Sequence, residues 1–417
     1  MEIIKLPEAV QYILNQLNKN NYEAYVVGGC VRDNLMKRTP HDWDICTSAL
    51  PEQVIEVFNE HQIIPTGLKH GTVTIVIDKE AFEVTTYRID GEYEDNRHPK
   101  NVVYTKSIHE DLMRRDFTIN ALAYNPTEGI IDIVGGIKDI KNKTIRCVGN
   151  SGERFREDAL RMLRAIRFAA RYSFRIHHKT IFSILANKEL LKNISTERIN
   201  SEIVKTLSSN YVNSQICYLL ATCVKQIIPE LDNTNVVNIS YKVEKSPADI
   251  YVRLALLFNF DEEEKLLEIL KRLRFDSDTI KKVCSVSKLG KYICFETAAP
   301  FNIEIHQENF YKYLARILIK ELGNKMAISS IHFAALLQEY KYNDIIRLID
   351  FVNTEIENNS CCSIAQMQID GNDLVNIGFC GIEVGKCLNT LLEEIIQDKL
   401  ENNRECLLKR AEELRNL

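Results

Sequence analysis

The texture of the chain changes near residue 150, and that change limits the folds open to it more than any other feature. Between residue 22 and about 146, short runs rich in β-branched and aromatic residues recur: AYVVGG, WDICTS, GTVTIVID, FEVTTYRI, FTINALAY and GIIDIVGG. Gly, Pro and Asp turns separate them, which is the pattern of short strands in a sheet. The segment CVRDNLMK and the amphipathic opening KLPEAVQYILNQLNKN read as helices among them. From about 153 onward, apolar residues fall three and four apart, as in EDALRMLRAIRFAARYSF, ERINSEIVKTLSS and DIIRLIDFVNTEI. That spacing predicts helices almost to the end. The class is therefore α+β, a sheet-bearing head followed by an all-helical neck, body and tail. Polar stretches around 231–248 and 354–370 serve as joints, giving a head over 1–146, a neck over 147–230, a body over 231–353 and a tail over 354–417.

Charge narrows the partners. Lys plus Arg number 53 against 58 Asp plus Glu, a formal net charge of −5. A binder that relies on a global excess of positive charge is excluded. Residues 154–179 nevertheless hold eight basic side chains against two acidic ones, so a basic neck is set in an acidic remainder. Such a chain touches a limited number of phosphates at one face, and salt weakens those contacts. With 45% hydrophobic and 27% charged residues, disorder is excluded. No stretch reaches the ~18 uncharged apolar residues that span a bilayer. The first thirty residues lack the basic-then-apolar order of a signal peptide. The 12 cysteines include no CxxC pair, and the vicinal Cys361-Cys362 suits neither a disulfide nor zinc. Reduced thiols acting as small apolar fillers or surface thiols, in a cytoplasmic protein without a membrane partner, are expected.

Four constellations carry chemistry. Gly28-Gly29-Cys30-Val31-Arg32-Asp33 follows an apolar strand and opens a helix. Gly29 permits close approach of backbone N–H groups to an anion, and Arg32 can fork onto phosphate oxygens, although such a turn also serves as a plain structural device. Asp42-Trp43-Asp44 opens the strand DWDICT, and side chains two apart in a strand share a face. Paired hard-oxygen ligands suit Mg²⁺, and two-metal sites need carboxylates that bridge ions ~4 Å apart; a lone DxD is otherwise a solvated turn. Glu83, between apolar neighbours where a carboxylate is costly unless paired, is the candidate third ligand. Arg114-Arg115, ahead of a strand in RRDFTINA, can clamp a triphosphate or ribose. On the helix from Glu157 to Arg171, Asp158 and Arg161 lie three apart, with Arg164 and Arg167 continuing the stripe. The plain reading is a surface ion pair. The chemical reading is that the carboxylate accepts from the exocyclic amine of C or A while the guanidinium donates to the ring acceptors beside it. U and G present a carbonyl where those amines would be.

GGCVRD, DWD, FEVTTYR, RRDFTINA, IIDIVGG and EDALRMLRAIRFAAR, in this order and spacing, closely resemble the bacterial class II tRNA nucleotidyltransferases, the CCA-adding enzymes, and the poly(A) polymerases related to them. The resemblance spans about 22–205, including Ser195-Thr196-Glu197-Arg198-Ile199, and resumes in the tail at IDGNDLVNIGFCGIEVGKCLNTLLEEI, similar to the family's tRNA-contacting segment. It implies a polymerase beta-like nucleotidyltransferase head, two Mg²⁺ ions on Asp42 and Asp44 with support from Glu83, and nucleotide contacts by Gly29, Arg32 and Arg115. It further implies base reading and phosphate binding by Asp158, Arg161, Arg164 and Arg167, with CTP, ATP and tRNA as substrates. The family's flexible loop matches residues 91–99, which relatives that add only the two C residues lack. Asn259 stands where a related His-Asp phosphohydrolase domain needs its doublet, so hydrolase activity is not expected. Gly381-Ile382-Glu383-Val384-Gly385 departs from the family's more proline- and glycine-rich tail. A specialised A-adding or poly(A)-forming enzyme, or an inactive tRNA-binding relative, are the competing readings.

Overall fold

A run such as TVTIVI must hide alternate side chains, and the chain does so on both faces of one mixed sheet. The computed structural model describes residues 3–65, 67–90, 102–231, 234–260, 262–296 and 304–416, so the expected loop at 91–99 lies outside the described residues. Contacts divide the chain into residues 1–240 and 241–417.

In the first unit the strands are β1 (Ala24–Val27), β2 (Ile45–Thr47), β3 (Gln62–Ile64), β4 (Thr72–Ile77), β5 (Glu80–Thr86), β6 (Arg88–Asp90), β7 (Val102–Tyr104), β8 (Ala123–Asn125), β9 (Gly129–Ile131), β10 (Thr144–Ile145) and β11 (Arg175–Ile176). Seven of them form a sheet in the order β3-β4-β5-β2-β1-β8-β9. All neighbours are antiparallel except β2 and β5, which run parallel. One face carries Val26, Ile45, Val73, Ile75, Phe82 and Val84. Helix α1 (Glu8–Lys19) covers it through Val10, Ile13, Leu14 and Leu17, together with Val31 of α2 (Gly29–Leu35) and Val54 of α3 (Pro51–Val57). Burying each such aliphatic side chain is worth roughly 1.5–3 kcal/mol. The opposite face, with Tyr25, Val27, Cys46, Tyr87 and Ala123, packs on Ile108 and Leu112 of α4 (Ile108–Met113).

The expected strand FTINALAY is only half strand. Thr118–Asn120 make one 3₁₀ turn, and pairing starts at Ala123. Arg114 and Arg115 follow α4 instead of leading into a strand. That helix starts at Ser107, whose hydroxyl accepts from Glu110 N (3.4 Å) with acidic residues in the first turn. Beyond α5 (Gly136–Lys141) come α6 (Ser151–Glu157), α7 (Leu160–Tyr172), α8 (His178–Asn187), α9 (Thr196–Leu207), α10 (Ser214–Val224) and α11 (Val236–Lys245). The helical remainder has one β exception, since β11 pairs parallel with β10.

The second unit is helical: α12 (Ile250–Leu257), α13 (Glu263–Arg272), α14 (Ser277–Glu296), α15 (Glu304–Leu337), α16 (Tyr342–Ile346), α17 (Leu348–Glu357), α18 (Gly371–Asn376), α19 (Ile382–Ile396) and α20 (Arg404–Arg415). Helix α15 is interrupted at Gly323, whose φ is +71°. Arg316 on α15 donates to Glu355 of α17 (2.5 Å) and to Asp398 just past α19 (2.6 Å). Helices α14 and α15 approach closely enough that a Cβ on Gly290 would lie 2.4 Å from the Phe333 ring and 3.1 Å from Ser330 O. No helix among the described residues is long and apolar enough to cross a membrane.

Gly290→Ala is expected to destabilise the protein by about 1–3 kcal/mol through overpacking. Chemical denaturation followed by circular dichroism checks this, and unchanged stability would show that α14 and α15 can move apart freely.

Candidate active site

Strand direction assembles the site. Because β2 and β8 both run antiparallel to β1, the residues preceding them lie beside the residue that ends β1. Val27 N donates to Asp44 O (2.9 Å) on one side, and Gly28 N donates to Leu122 O (2.9 Å) on the other. Gly28 caps α2 at φ +74° and ψ −118°, a conformation suited to glycine, and a Cβ there would meet Arg115 Nη1 at 3.0 Å. The Gly-Gly turn therefore brings the start of α2, with Gly29, Asp44 and Arg115 to one edge of the sheet.

Asp42 and Asp44 precede β2 instead of lying within it. Trp43, between them, packs against the core beneath the sheet. Asp44 is exposed, and partial desolvation by the surrounding protein raises its pKa. Arg115 opposes that rise, and repulsion from Asp42 adds to it. Glu83 lies in β5 directly before Val84, which pairs in parallel with Ile45, the residue after Asp44. Glu83 is nonetheless exposed, because Phe82 and Val84 turn to the opposite side. The expected burial cost at Glu83 is thus absent, and only its register recommends it. Among the described residues no group of three or more His, Cys, Asp or Glu side chains stands close enough to hold a metal ion. Two neighbouring, partly solvated carboxylates still fit Mg²⁺, which retains waters and takes one or two carboxylates plus substrate phosphates.

A cavity of about 480 Å³ opens beside Asp44. Gly28, Gly29, Arg32, Arg114, Arg115, Asp116, Asn120, Asp158, Arg161, Arg164, Arg167, Phe168 and Arg171 complete its lining. All the expected nucleotide-binding residues meet here, whereas Asp42 and Glu83 are outside the lining. Arg32 is buried and engaged: it donates to Asp33 (2.8 Å) and Asn120 (2.5 Å), and its guanidinium lies 4.7 Å from the Tyr172 ring centroid. Arg167 donates to Glu202 of α9 (2.6 Å) and lies 4.2 Å from the Phe168 ring centroid. Arg115 Nε and Arg198 Nη1 are buried with no hydrogen-bond partner among the described residues.

The helix expected from Glu157 to Arg171 is broken. Helix α6 ends at Glu157, and Asp158 is extended at φ −137° and ψ 104°. Asp158 Oδ1 accepts from Leu160 N (3.1 Å) at the start of α7, the capping role that aspartate prefers over a helix interior. The expected Asp158–Arg161 face is replaced by exchanged partners: Asp158 accepts from Arg198 of α9 (3.1 Å), and Arg161 donates to Glu157 (2.5 Å). Both groups still face the cavity.

Several members escaped sequence reasoning. Asp116 is the chief one; it accepts from Arg164 Nε (3.0 Å) and Nη2 (2.7 Å), Asn120 Nδ2 (3.0 Å) and Phe117 N (2.8 Å). Burial alone would raise its pKa, but Arg164 and these donors hold it down at about 2. Its position directly after Arg114-Arg115 was the available signal. Arg198 lay within the motif Ser195–Ile199, whereas Asp111 and Glu202 offered no local sign, because their partners come from tertiary packing.

Comparison with known proteins follows the same division. Residues 24–146 match the family model described as the poly A polymerase head domain, residues 173–234 a probable RNA and SrmB-binding site of polymerase A, and residues 242–411 a putative tRNA nucleotidyltransferase domain 2. The chain is 33% identical to a CCA-adding enzyme of Lactobacillus helveticus over 99% of this chain and 100% of the relative. It is 32% identical to one of Pediococcus pentosaceus over 98% of each. The crystal structure of the Bacillus stearothermophilus CCA-adding enzyme in complex with CTP aligns with a TM-score of 0.76 and 27% identity, covering 99% of this chain and 98% of that one. The Thermotoga maritima CCA-adding enzyme complexed with tRNA shares the fold, with a TM-score of 0.69 at 20% identity over 97% and 95%.

Asp116→Asn should remove about 2–3 kcal/mol of stability near neutral pH, the equivalent of the shift from about 3.9 in an unfolded chain to about 2. The folded value is depressed, so ionised Asp116 favours the folded state. Its contribution is complete above about pH 4 and fades as pH falls toward 2. Urea denaturation of both proteins between pH 3 and 7 checks this; a pH-independent difference would contradict it.

Proposed function

The chain belongs to the CCA-adding enzyme family, and from that premise we propose that it adds C, C and A to the 3′ end of tRNA from CTP and ATP without a nucleic-acid template. The observation that carries this reading is the cavity that gathers Asp44, Arg115, Asp158 and Arg161 in one place. The tRNA 3′-hydroxyl attacks the α-phosphorus of the incoming nucleotide, the bond to the β-phosphate oxygen breaks in line, and pyrophosphate leaves. Asp42 and Asp44, with Glu83 alongside, would hold two Mg²⁺ ions, which when bound lower the pKa of the attacking hydroxyl and neutralise charge on the leaving phosphates.

The chain's own side chains do the positioning. Arg115, at the edge of the Gly28-Gly29 turn, lines the cavity where the triphosphate would lie, as does Arg32, braced by Asp33 and Asn120. Asp158 accepts from the exocyclic amine of C or A, and Arg161 donates to the neighbouring ring acceptors. Arg164 and Arg167 add positive charge along the same wall, held by Asp116 and Glu202. In this reading residues 1–146 carry the chemistry, 147–230 read the base, 231–353 form the body, and the tail from 354 contacts tRNA, with Val375 and Ile382 exposed on it.

The test is incubation with tRNA ending at the discriminator base and labelled CTP or ATP with Mg²⁺. CTP alone should add two residues, and A should enter only after them. An A-adding or poly(A)-forming enzyme would leave that substrate without C, which would overturn the reading. Asp44→Ala should reduce incorporation to background while tRNA binding by filter retention persists; substantial turnover would sink the metal assignment.

A further inference from the structure

Asp111 lies outside the cavity lining and is fully buried in the first turn of α4. Its Oδ1 accepts from Arg114 Nε (2.9 Å) and Nη2 (2.7 Å), and its Oδ2 accepts from Arg115 Nη2 (3.0 Å). Burial alone would raise its pKa, but Arg115 and Arg114 outweigh that and hold the carboxyl below the usual range. One carboxylate thus fixes two consecutive arginines that face the same cavity.

Arg114 leads further than its own side chain. The backbone carbonyl of Arg114 accepts from Arg161 Nη2 (3.3 Å) and from Arg154 Nη1 (3.3 Å). Arg154 also pairs with Glu157 (2.8 Å), the acid that holds Arg161 Nη1 (2.5 Å). A continuous line therefore runs from Asp111 through Arg114 to Arg161, while a parallel branch runs from Asp111 to Arg115. Peptide units are rigid, so a displacement of Arg114 moves its carbonyl and the hydrogen bonds made to it together.

We propose that Asp111 is a positioning residue that sets the register between the phosphate-facing Arg115 and the base-facing Arg161, so that selection of C over U depends on a buried acid remote from the base. This rests on the nucleotide-binding reading of the cavity. A mere anchor for Arg115 would affect all nucleoside triphosphates alike, because they share the triphosphate. A register element changes the ratio between bases, because Arg161 would no longer meet the ring acceptors of C at the right place.

The experiment compares the full-length wild type with Asp111→Asn and Asp111→Glu, measuring dissociation constants for labelled CTP and UTP by equilibrium dialysis and, in parallel, incorporation of each onto tRNA. Asp111→Asn should weaken CTP binding about tenfold and lower the preference for CTP over UTP at least about fivefold, with Asp111→Glu recovering part of the preference. Equal weakening of CTP and UTP, with their ratio within about twofold of the wild type, would overturn the proposal. Circular dichroism reports whether Asp111→Asn folds. If it does not, the Asp111→Glu ratio decides alone: a lowered preference supports the register, and an unchanged one overturns it. Failure of the wild type to add C or A would sink the activity reading, while the binding ratio still tests the register.

Discussion

Seven arginines share the lining of one cavity of about 480 Å³, and the rest of the site depends on how that concentration of charge is tolerated. An unpaired buried guanidinium costs several kcal/mol, so each except the exposed Arg171 needs a carboxylate in reach. The structure supplies them from behind: Asp33 for Arg32, Asp111 for Arg114 and Arg115, Glu157 for Arg161, Asp116 for Arg164 and Glu202 for Arg167. These acids bind the arginines through part of their donor sets. The guanidiniums are thereby oriented before any nucleotide arrives, which reduces the ordering cost of binding one.

The sheet does the corresponding work for the carboxylates. Asp44, Gly28 and Asn120 come from segments far apart in the chain, yet two antiparallel neighbours of β1 deliver them to the same edge. Placing Asp44 next to Arg115 keeps a partly desolvated carboxyl from rising as far as burial alone would drive it. The ligand edge and the phosphate-facing arginine therefore stabilise one another.

Much of this was legible in the sequence, and the limits are instructive. The strands at AYVV and TVTIVI follow from uninterrupted β-branched runs, and the Gly-Gly turn from the residue types that such a turn requires. The break at Asp158 was hidden because the three- and four-residue spacing continues through it; only the side chain's preference for a cap, realised at Leu160 N, interrupts the helix. Glu83 misled because alternation was read as burial, whereas its exposed face was set by Phe82 and Val84 packing on the far side. Asp111 and Glu202 carry no local signature at all, since an acid on a helix is ordinarily solvated and only its distant arginine shows otherwise.

The two-residue pairing of β10 with β11 bears on where the chain can be divided. Residue 146 resembles a seam between a sheet-bearing part and a helical part, but Thr144 and Ile145 are bridged to Arg175 and Ile176, and Arg164 reaches back to Asp116 across the same line. A recombination that spliced a foreign N-terminal segment in at residue 146 would sever backbone pairing and strand a charged group at once. The compact unit is therefore residues 1–240, and a division that keeps its pairing intact falls beyond it.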